Sequence, residues 1–420
     1  VVRIDRETLL NSLAKQREEL GRSIVLTPVD SLPFILADRE HTGFLHGLYL
    51  TDKLRDPASK REAKILFGGR EEAARDIVDI HRLLATTLGA ADGSLRLLAG
   101  LHAHAAVFMG IGRVGQRVML LPEEAGGHFN AHAILERLGL HTVDIPIDYE
   151  RLCVDRAKTL RLIDRHQPDF VFIDRSEGLR YEDFSFLGSL EGPVTVFDAS
   201  QYLTQIITGT YANPLDWGFQ LMLFSLHKSF PGPQKAGVVT RERDKTWERL
   251  VKALSTLVSS SHAENTYLVG LALLREQWLS DYSSRLLASA VALEGELLDR
   301  GIPVVDRSRQ GEPHWPNTHH IWIELGDAEL AFQRYEHLAA SRILTNYRSL
   351  PYGLGYGLRL GTTFSAVAGI GAEHAAELAD VIGAGFEGEP APALQDRVEK
   401  LAREAAAEAI LPSRYWLTKG

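Results

Sequence analysis

Two side chains in this sequence could act together on one aldehyde cofactor. Lys228 stands in the segment 225–237, SLHKSFPGPQKAG, after the apolar run Leu221, Met222, Leu223, Phe224 and before the turn Pro231-Gly232-Pro233. A short apolar run bounded by turn formers predicts a buried strand ending at Ser225. A lysine placed where that strand leaves the core loses solvation, which favours the neutral amine that attacks an aldehyde. About thirty residues upstream, Thr195-Val196-Phe197-Asp198 predicts a second buried strand closing on a carboxylate. A Schiff-base lysine beside an acid that keeps a pyridine nitrogen protonated is the pair that pyridoxal phosphate requires. The ordinary alternatives are a solvated loop lysine and an unrelated acid at a strand end.

The elements around this pair follow an alternating rhythm. Strands near 118–122, 141–146, 169–174 and 194–198 alternate with helices near 130–139 and 155–165, which predicts a mostly parallel sheet with helices on both faces. Ala73, Ile77, Ile80 and Leu84 mark a helix over 71–89. Residues 97–111, LLAGLHAHAAVFMGI, read as a short apolar strand passing through Gly100 into a helix, and such a turn leaves backbone N–H groups free for a phosphate. His102 and His104 lack carboxylate or thiolate neighbours, and His128 and His132 have i, i+4 spacing without an adjacent Glu, so no metal site is expected. Residues 5–20 predict an amphipathic helix marked by Leu9, Leu10, Leu13 and Leu20, either an arm on a partner subunit or a surface helix.

From about residue 285 the pattern changes. A long helix, LLASAVALEGELLDRG, leads to a strand at 318–325, a helix at 327–340 and a strand near 357–360. Arg359 lies on that last strand between Leu358 and Leu360, where a structural role is hard to assign and a two-pronged grip on a carboxylate is easy to assign. A helix over 390–410 ends the pattern. The expected division is an N-terminal arm (1–30), a large cofactor-binding domain (31–285) and a small C-terminal domain (286–420).

With 420 residues, 45% hydrophobic and 24% charged, the chain can bury a large core in more than one domain. The net charge of −9 argues against a general nucleic-acid binder, which needs clustered Lys and Arg. No apolar stretch approaches a membrane span and no signal-peptide pattern is visible, so a cytoplasmic protein without membrane or nucleic-acid partners is expected. Cys153 is the single cysteine, which fits a reducing compartment and a buried structural thiol.

The segment SLHKSFPGPQKAG resembles the lysine motif of the serine hydroxymethyltransferase family, and above all its threonine transaldolase branch, which also carries a Pro-Gly-Pro-Gln-Lys turn. The resemblance runs in order from about residue 24 to residue 371. It implies pyridoxal-phosphate-dependent fold type I: a large domain with a mainly parallel seven-stranded sheet between helices, plus a small α/β domain. It also implies a homodimer with shared active sites. By the same resemblance Gly100, Leu101 and His102 bind the cofactor phosphate, with Leu101 standing where the family keeps a serine. His128 stacks on the pyridoxal ring and moves protons, Ser225 contacts the phosphate, and His227 buttresses the site. Ser176 contacts the cofactor oxygen or the substrate. Arg359 grips the substrate α-carboxylate. Tyr49 is a catalytic and substrate-binding residue donated across the dimer, and Ser261 and His262 reach the neighbour's phosphate.

Departures from the family pattern narrow the chemistry. Thr51 stands where hydroxymethyltransferases keep a catalytic glutamate after the tyrosine, so folate-dependent transfer is not expected. Phe67-Gly68-Gly69 keeps an aromatic-Gly-Gly turn without the tyrosine hydroxyl. Gln201 replaces a histidine after the acid motif, and it cannot carry a proton near neutrality. Ser365-Ala366-Val367-Ala368-Gly369 lacks the Thr-Arg of the family. The favoured reading is Cα–Cβ cleavage of a β-hydroxy L-amino acid, aldolase or transaldolase in type, in specialised metabolism. The alternative is β-elimination or decarboxylation-coupled oxidative deamination of a cysteine S-conjugate, as in lincosamide antibiotic assembly. A non-catalytic relative that keeps the fold for binding is the reading from another class.

Overall fold

The computed structural model describes residues 5–410; residues 1–4 of the expected arm and 411–420 of the expected small domain lie outside them. Seven strands form the central sheet: β1 (Asp92–Ser94), β2 (Arg117–Leu120), β3 (His141–Asp144), β4 (Phe170–Ile173), β5 (Val194–Asp198), β6 (Leu221–Ser225) and β7 (Ala236–Thr240). Their order across the sheet is β1-β7-β6-β5-β4-β2-β3. The contacts from β6 to β3 are parallel, and β7 is antiparallel to both of its neighbours. This is the mainly parallel seven-stranded sheet that the resemblance implies.

Continuous apolar strands arise because both faces are covered. In β4, Phe170 and Phe172 join one core, while Val171 and Ile173 join the other. β6 divides in the same way, with Leu221 and Leu223 opposite Met222 and Phe224. One face packs under α3 (Gly100–Ile111) and α4 (Lys245–Leu257) through Val107, Phe108, Trp247 and Leu250. The other lies under α2 (Glu71–Thr87) and α5 (Ala263–Leu273), with Leu84 and Val269 among its contacts. Each of these fully buried aromatic or aliphatic side chains contributes about 1.5–3 kcal/mol relative to exposure.

Several elements differ from expectation. No strand forms at 97–99, where Ala236 N–H to Leu97 O (3.0 Å) is the cross-strand contact; the strand lies upstream at β1. β7 and a further strand in the small sheet were not expected. That small sheet comprises β8 (His320–Gly326), β9 (Asn346–Ser349) and β10 (Tyr356–Gly361), all antiparallel in the order β8-β10-β9.

The long helix of the small unit starts earlier than its apolar pattern indicates. α6 spans Glu276–Asp299, with Leu279, Tyr282 and Leu286 in the large core and Ala290, Leu293 and Leu297 in the small one. Ile24–Val25 pair in parallel with Ile343–Leu344, and Ile24 and Leu26 join the small core. α1 (Arg6–Gly21), capped by Asp5 accepting from Thr8 N–H, buries none of its residues. Leu9, Leu10 and Leu13 are left exposed. No helix among the described residues is long and apolar enough to cross a membrane.

Candidate active site

Parallel strands place their carboxyl ends at one edge of the sheet, which is where ligands bind in open α/β folds. β5 ends at Asp198 and β6 at Ser225. Ser200 ties the two together: its N–H donates to Asp198 Oδ1 (2.8 Å) and its Oγ accepts from Ser225 N–H (2.8 Å). The lysine turn that follows is closed at its base by Leu226 N–H to Lys235 O and Gly232 N–H to Leu226 O, both 2.9 Å. A Cβ on Gly232 would lie 2.6 Å from Leu226 O, so this tight return needs a glycine. Thr204 Oγ1 donates to Ser229 O (2.7 Å) and pins the turn from a third side.

Lys228 therefore stands where β6 leaves the core. Burial lowers its pKa, the Asp198 charge opposes that shift, and the Arg359 charge adds to it. Asp198 is buried at the sheet edge, which alone would raise its pKa. The His104 hydrogen bond (Nε2 to Oδ2, 2.6 Å), the His104 and Lys228 charges and the Ser200 contact instead hold it at about 2. This acid remains ionised through the physiological range.

His128 follows the turn Gly126-Gly127. Gly126 has φ +86° and a Cβ there would lie 2.8 Å from Glu177 O; a Cβ on Gly127 would lie 2.4 Å from Leu121 O. The His128 N–H donates to Asp174 Oδ2 (3.1 Å), and its Nδ1 accepts from Asn130 N–H (3.2 Å). The ring stacks on Phe129 and meets His104 edge-on at 5.3 Å between centroids. Burial, then the His104 and Lys228 charges, depress its pKa to about 3, against the near-neutral value expected of a proton carrier. Among the described residues the imidazole is neutral, and an accepting Nδ1 puts the ring proton on Nε2.

Around this group lie buried polar atoms without protein partners: Ser225 Oγ, His227 Nδ1 and both amide atoms of Gln201. Unpaired buried polar groups are costly and call for a ligand. Gly100 opens α3 with its Cα face 3.5 Å from Ser225 Cβ, measured from an added Cβ, so the first helical turn adjoins that serine. The N–H groups of Gly100, Leu101 and His102 occupy this turn, whose donors have no intrahelical acceptor. The Leu101 side chain is exposed, and His102 Nδ1 is taken by Leu98 N–H (3.0 Å). A phosphate-bearing, protonated pyridine aldehyde fits these residues: an N–H cradle with a free hydroxyl, an ionised acid and a desolvated amine.

Arg359 reaches the site from β10, buried between the fully buried Leu358 and Leu360. Its Nε donates to Asn346 Oδ1 (3.0 Å), its Nη1 lies 3.2 Å from Glu177 Oε1, and burial lowers its pKa to about 10. Ser176 is half-buried, its N–H donating to Gly126 O (2.8 Å).

Tyr49, Ser261 and His262 fall into a second group. Tyr49 meets the Phe67 ring at 4.9 Å in a cleft of about 280 Å³, also lined by Thr51, Lys53, Arg70 and Ser259. Lys228, Asp198, His128 and Arg359 do not line it. Ser261 N–H donates to Leu50 O (2.7 Å), and His262 holds φ +48° at the start of α5. Lys235, the last residue of the lysine turn, joins the two groups by donating to Ser261 O (2.9 Å).

Sequence reasoning missed His104, Asp174, Glu177 and His320. Sequence spacing reads His104 only as a candidate metal ligand beside His102, yet two residues along a helix the rings diverge, one to Asp198 and one to the Leu98 backbone. His320, fully buried with both ring nitrogens unpartnered, lies near enough to Lys228 and Arg359 for their charges to depress its pKa further. Cys153 is buried and its thiol is pushed up to about 12, first by burial and then by Glu182.

No protein-family model matches the chain. It is 31% identical over 319 residues to an L-threonine:uridine-5′-aldehyde transaldolase of a Streptomyces species, covering 73% of this chain and 74% of that protein. Identity to the fluorothreonine transaldolase of Streptantibioticus cattleyicolor is 30% over 303 residues, 71% of this chain and 47% of that protein, so the chain spans about half the length of that relative. A serine hydroxymethyltransferase of Pyrobaculum arsenaticum is 26% identical over 332 residues, 76% of each chain. The crystal structure of the L-threonine transaldolase from Pseudomonas fluorescens, in its internal aldimine state, superposes with a TM-score of 0.85 over 97% of this chain and 94% of that one, at 21% identity. The chain belongs to the pyridoxal-phosphate-dependent, fold type I family of serine hydroxymethyltransferases and threonine transaldolases.

Proposed function

We propose that this enzyme is a transaldolase-type catalyst that breaks the Cα–Cβ bond of a β-hydroxy L-amino acid and joins the Cα fragment to another aldehyde, in specialised metabolism. The observation that carries the reading is the meeting of Lys228 with Asp198 and Arg359 at the carboxyl edge of the sheet. Pyridoxal phosphate, when bound, supplies the electron sink that makes bonds at the substrate Cα labile. Lys228 would hold the cofactor through its amine, and burial, which lowers its pKa, favours the form of that amine able to take a proton. Asp198, ionised and held in place by His104, would keep the cofactor's ring nitrogen protonated. Arg359 would orient the substrate through its α-carboxylate, and neutral His128, with its proton on Nε2, would lie against the cofactor ring. Gly100, Leu101, His102 and Ser225 would receive the phosphate and His227 would buttress the site, while Ser176 and Gln201 would contact the cofactor or substrate oxygens.

The donor loses its β-hydroxyl proton as Cα–Cβ breaks and leaves as an aldehyde; the acceptor aldehyde gains a proton on oxygen as the new Cα–Cβ bond forms. Mixing the protein with L-threonine should release acetaldehyde, and adding a second aldehyde should yield a new β-hydroxy amino acid. Pyruvate or ammonia from cysteine conjugates, with no acetaldehyde from threonine, would reject this reading. Elimination from a cysteine conjugate is not favoured, since the relatives described above are transaldolases and a hydroxymethyltransferase. A homodimer is supported by the bare leucine face of α1 and by the separation of Tyr49, Ser261 and His262 from Lys228, which fits residues lent to a neighbouring subunit.

A further inference from the structure

Among the described residues, Glu177 is a fully shielded acid beside Arg359, at 0% exposure. Arg348 Nη1 sits against its Oε1, and Arg359 Nη1 lies 3.2 Å from the same oxygen. Neither carboxylate oxygen receives a well-directed hydrogen bond, so charge alone holds the side chain. Its backbone, by contrast, is fixed. Ser176 N–H donates to Gly126 O (2.8 Å), and Glu177 O packs where a Cβ on Gly126 would lie 2.8 Å away. On this rigid base one carboxylate oxygen meets both guanidiniums at once.

Charge around the triad limits what it can accept. Arg359 and Arg348 carry two positive charges and Glu177 one negative. Glu123, which acts on Arg348, is exposed to solvent and correspondingly screened. Asp198 faces Lys228 in the free protein and would face the ring nitrogen once the cofactor is bound, and His319 and His320 are buried with pKa values depressed by burial, hence neutral. One positive charge remains for an incoming ligand, and the Arg359 nitrogen nearest Glu177 is already engaged by an internal carboxylate.

We propose that Glu177 determines substrate specificity at the carboxylate site: it neutralises one of the two arginines, holds Arg359 until a substrate carboxylate displaces it onto Arg348, and so restricts the site to amino acids with a single carboxylate. The inference rests on the reading of Arg359 as the substrate-carboxylate arginine. It makes an arginine pair, which would otherwise welcome a dicarboxylate, selective against one.

The test is equilibrium binding to the cofactor-loaded protein, measured by calorimetric titration with L-threonine and with L-aspartate. Glu177→Gln should tighten L-threonine about tenfold and L-aspartate by a larger factor, since it removes the internal competitor. Arg348→Gln should weaken L-threonine about tenfold, because Glu177 then has Arg359 alone. The double variant should return to within about threefold of the Glu177→Gln value. A double variant that binds L-threonine no better than the parent, or a Glu177→Gln protein with unchanged or weaker L-threonine binding, would overturn the proposal. If Glu177→Gln fails to fold, Arg348→Gln decides: undiminished L-threonine affinity rejects it. Insensitivity to Arg359→Gln would reject the carboxylate arginine itself, a failure distinguishable from that of Glu177 alone. None of these affinities depends on whether acetaldehyde is released.

Discussion

Lys228 owes its chemistry to lost water rather than to a paired base. Reduction of the loaded protein with borohydride and peptide mapping should tag Lys228. Lys228→Gln should lose the tag and at least about a thousandfold of turnover; a tag elsewhere would sink the assignment. His104 acts through Asp198. His104→Ala removes one partner of a buried, charge-assisted hydrogen bond, which costs about 1.5–3 kcal/mol, so cofactor affinity measured by dialysis should fall about tenfold to a hundredfold. Unchanged affinity would remove His104 from the site.

Asp174 carries a pH signature. Burial raises its pKa from 3.8 to about 7. A raised acid pKa penalises the folded state once the carboxyl ionises: the cost is absent below about pH 4, grows between about 4 and 7, and is complete above. Asp174→Asn should therefore raise the melting temperature at pH 8 and barely change it at pH 4. Equal shifts at both would contradict the burial argument. Lys228, Asp198 and Arg359 were legible because each puts a charge in, at the end of or just beyond an apolar strand, where packing alone does not explain it. His104 and Glu177 were not, since their roles depend on partners 94 and 182 residues away in sequence, Asp198 and Arg359.

At the scale of elements, the parallel strands β4 and β6 were readable as apolar runs because both of their faces are dry, and β5 as a shorter one, Val196-Phe197, closing on Asp198. β1, Asp-Gly-Ser, has no apolar period at all; a Cβ on Gly93 would lie 3.0 Å from Val239 Cγ1, a tight fit against the neighbouring strand. β9, Asn-Tyr-Arg-Ser, is a partly exposed edge and reads as a loop. The Gly126-Gly127 turn is the element that aims His128. Gly127→Ala should cost about 2–4 kcal/mol in urea unfolding and loosen cofactor retention, because the backbone must shift away from Leu121 O. A variant as stable as the parent would show that the turn yields freely.

At the scale of the molecule, the cleft around Tyr49 makes the shared-site reading testable. Mixing Tyr49→Phe and Lys228→Gln proteins, each inactive alone, should restore about a quarter of parental activity if each site draws on both subunits. No recovery after subunit exchange is shown would return Tyr49 to its own chain. The two-core division was visible in the change of pattern near residue 285, but the ownership of α6 was not. Its first three turns look polar and mixed until the large core is seen beneath them.

A rod of 24 residues with one end in each core works as a common spine. Cutting the gene at residue 286 would strip each fragment of a wall and expose leucines that were never meant to meet water. Two sticky, insoluble halves are the expected product, and heat should melt the intact protein in one step.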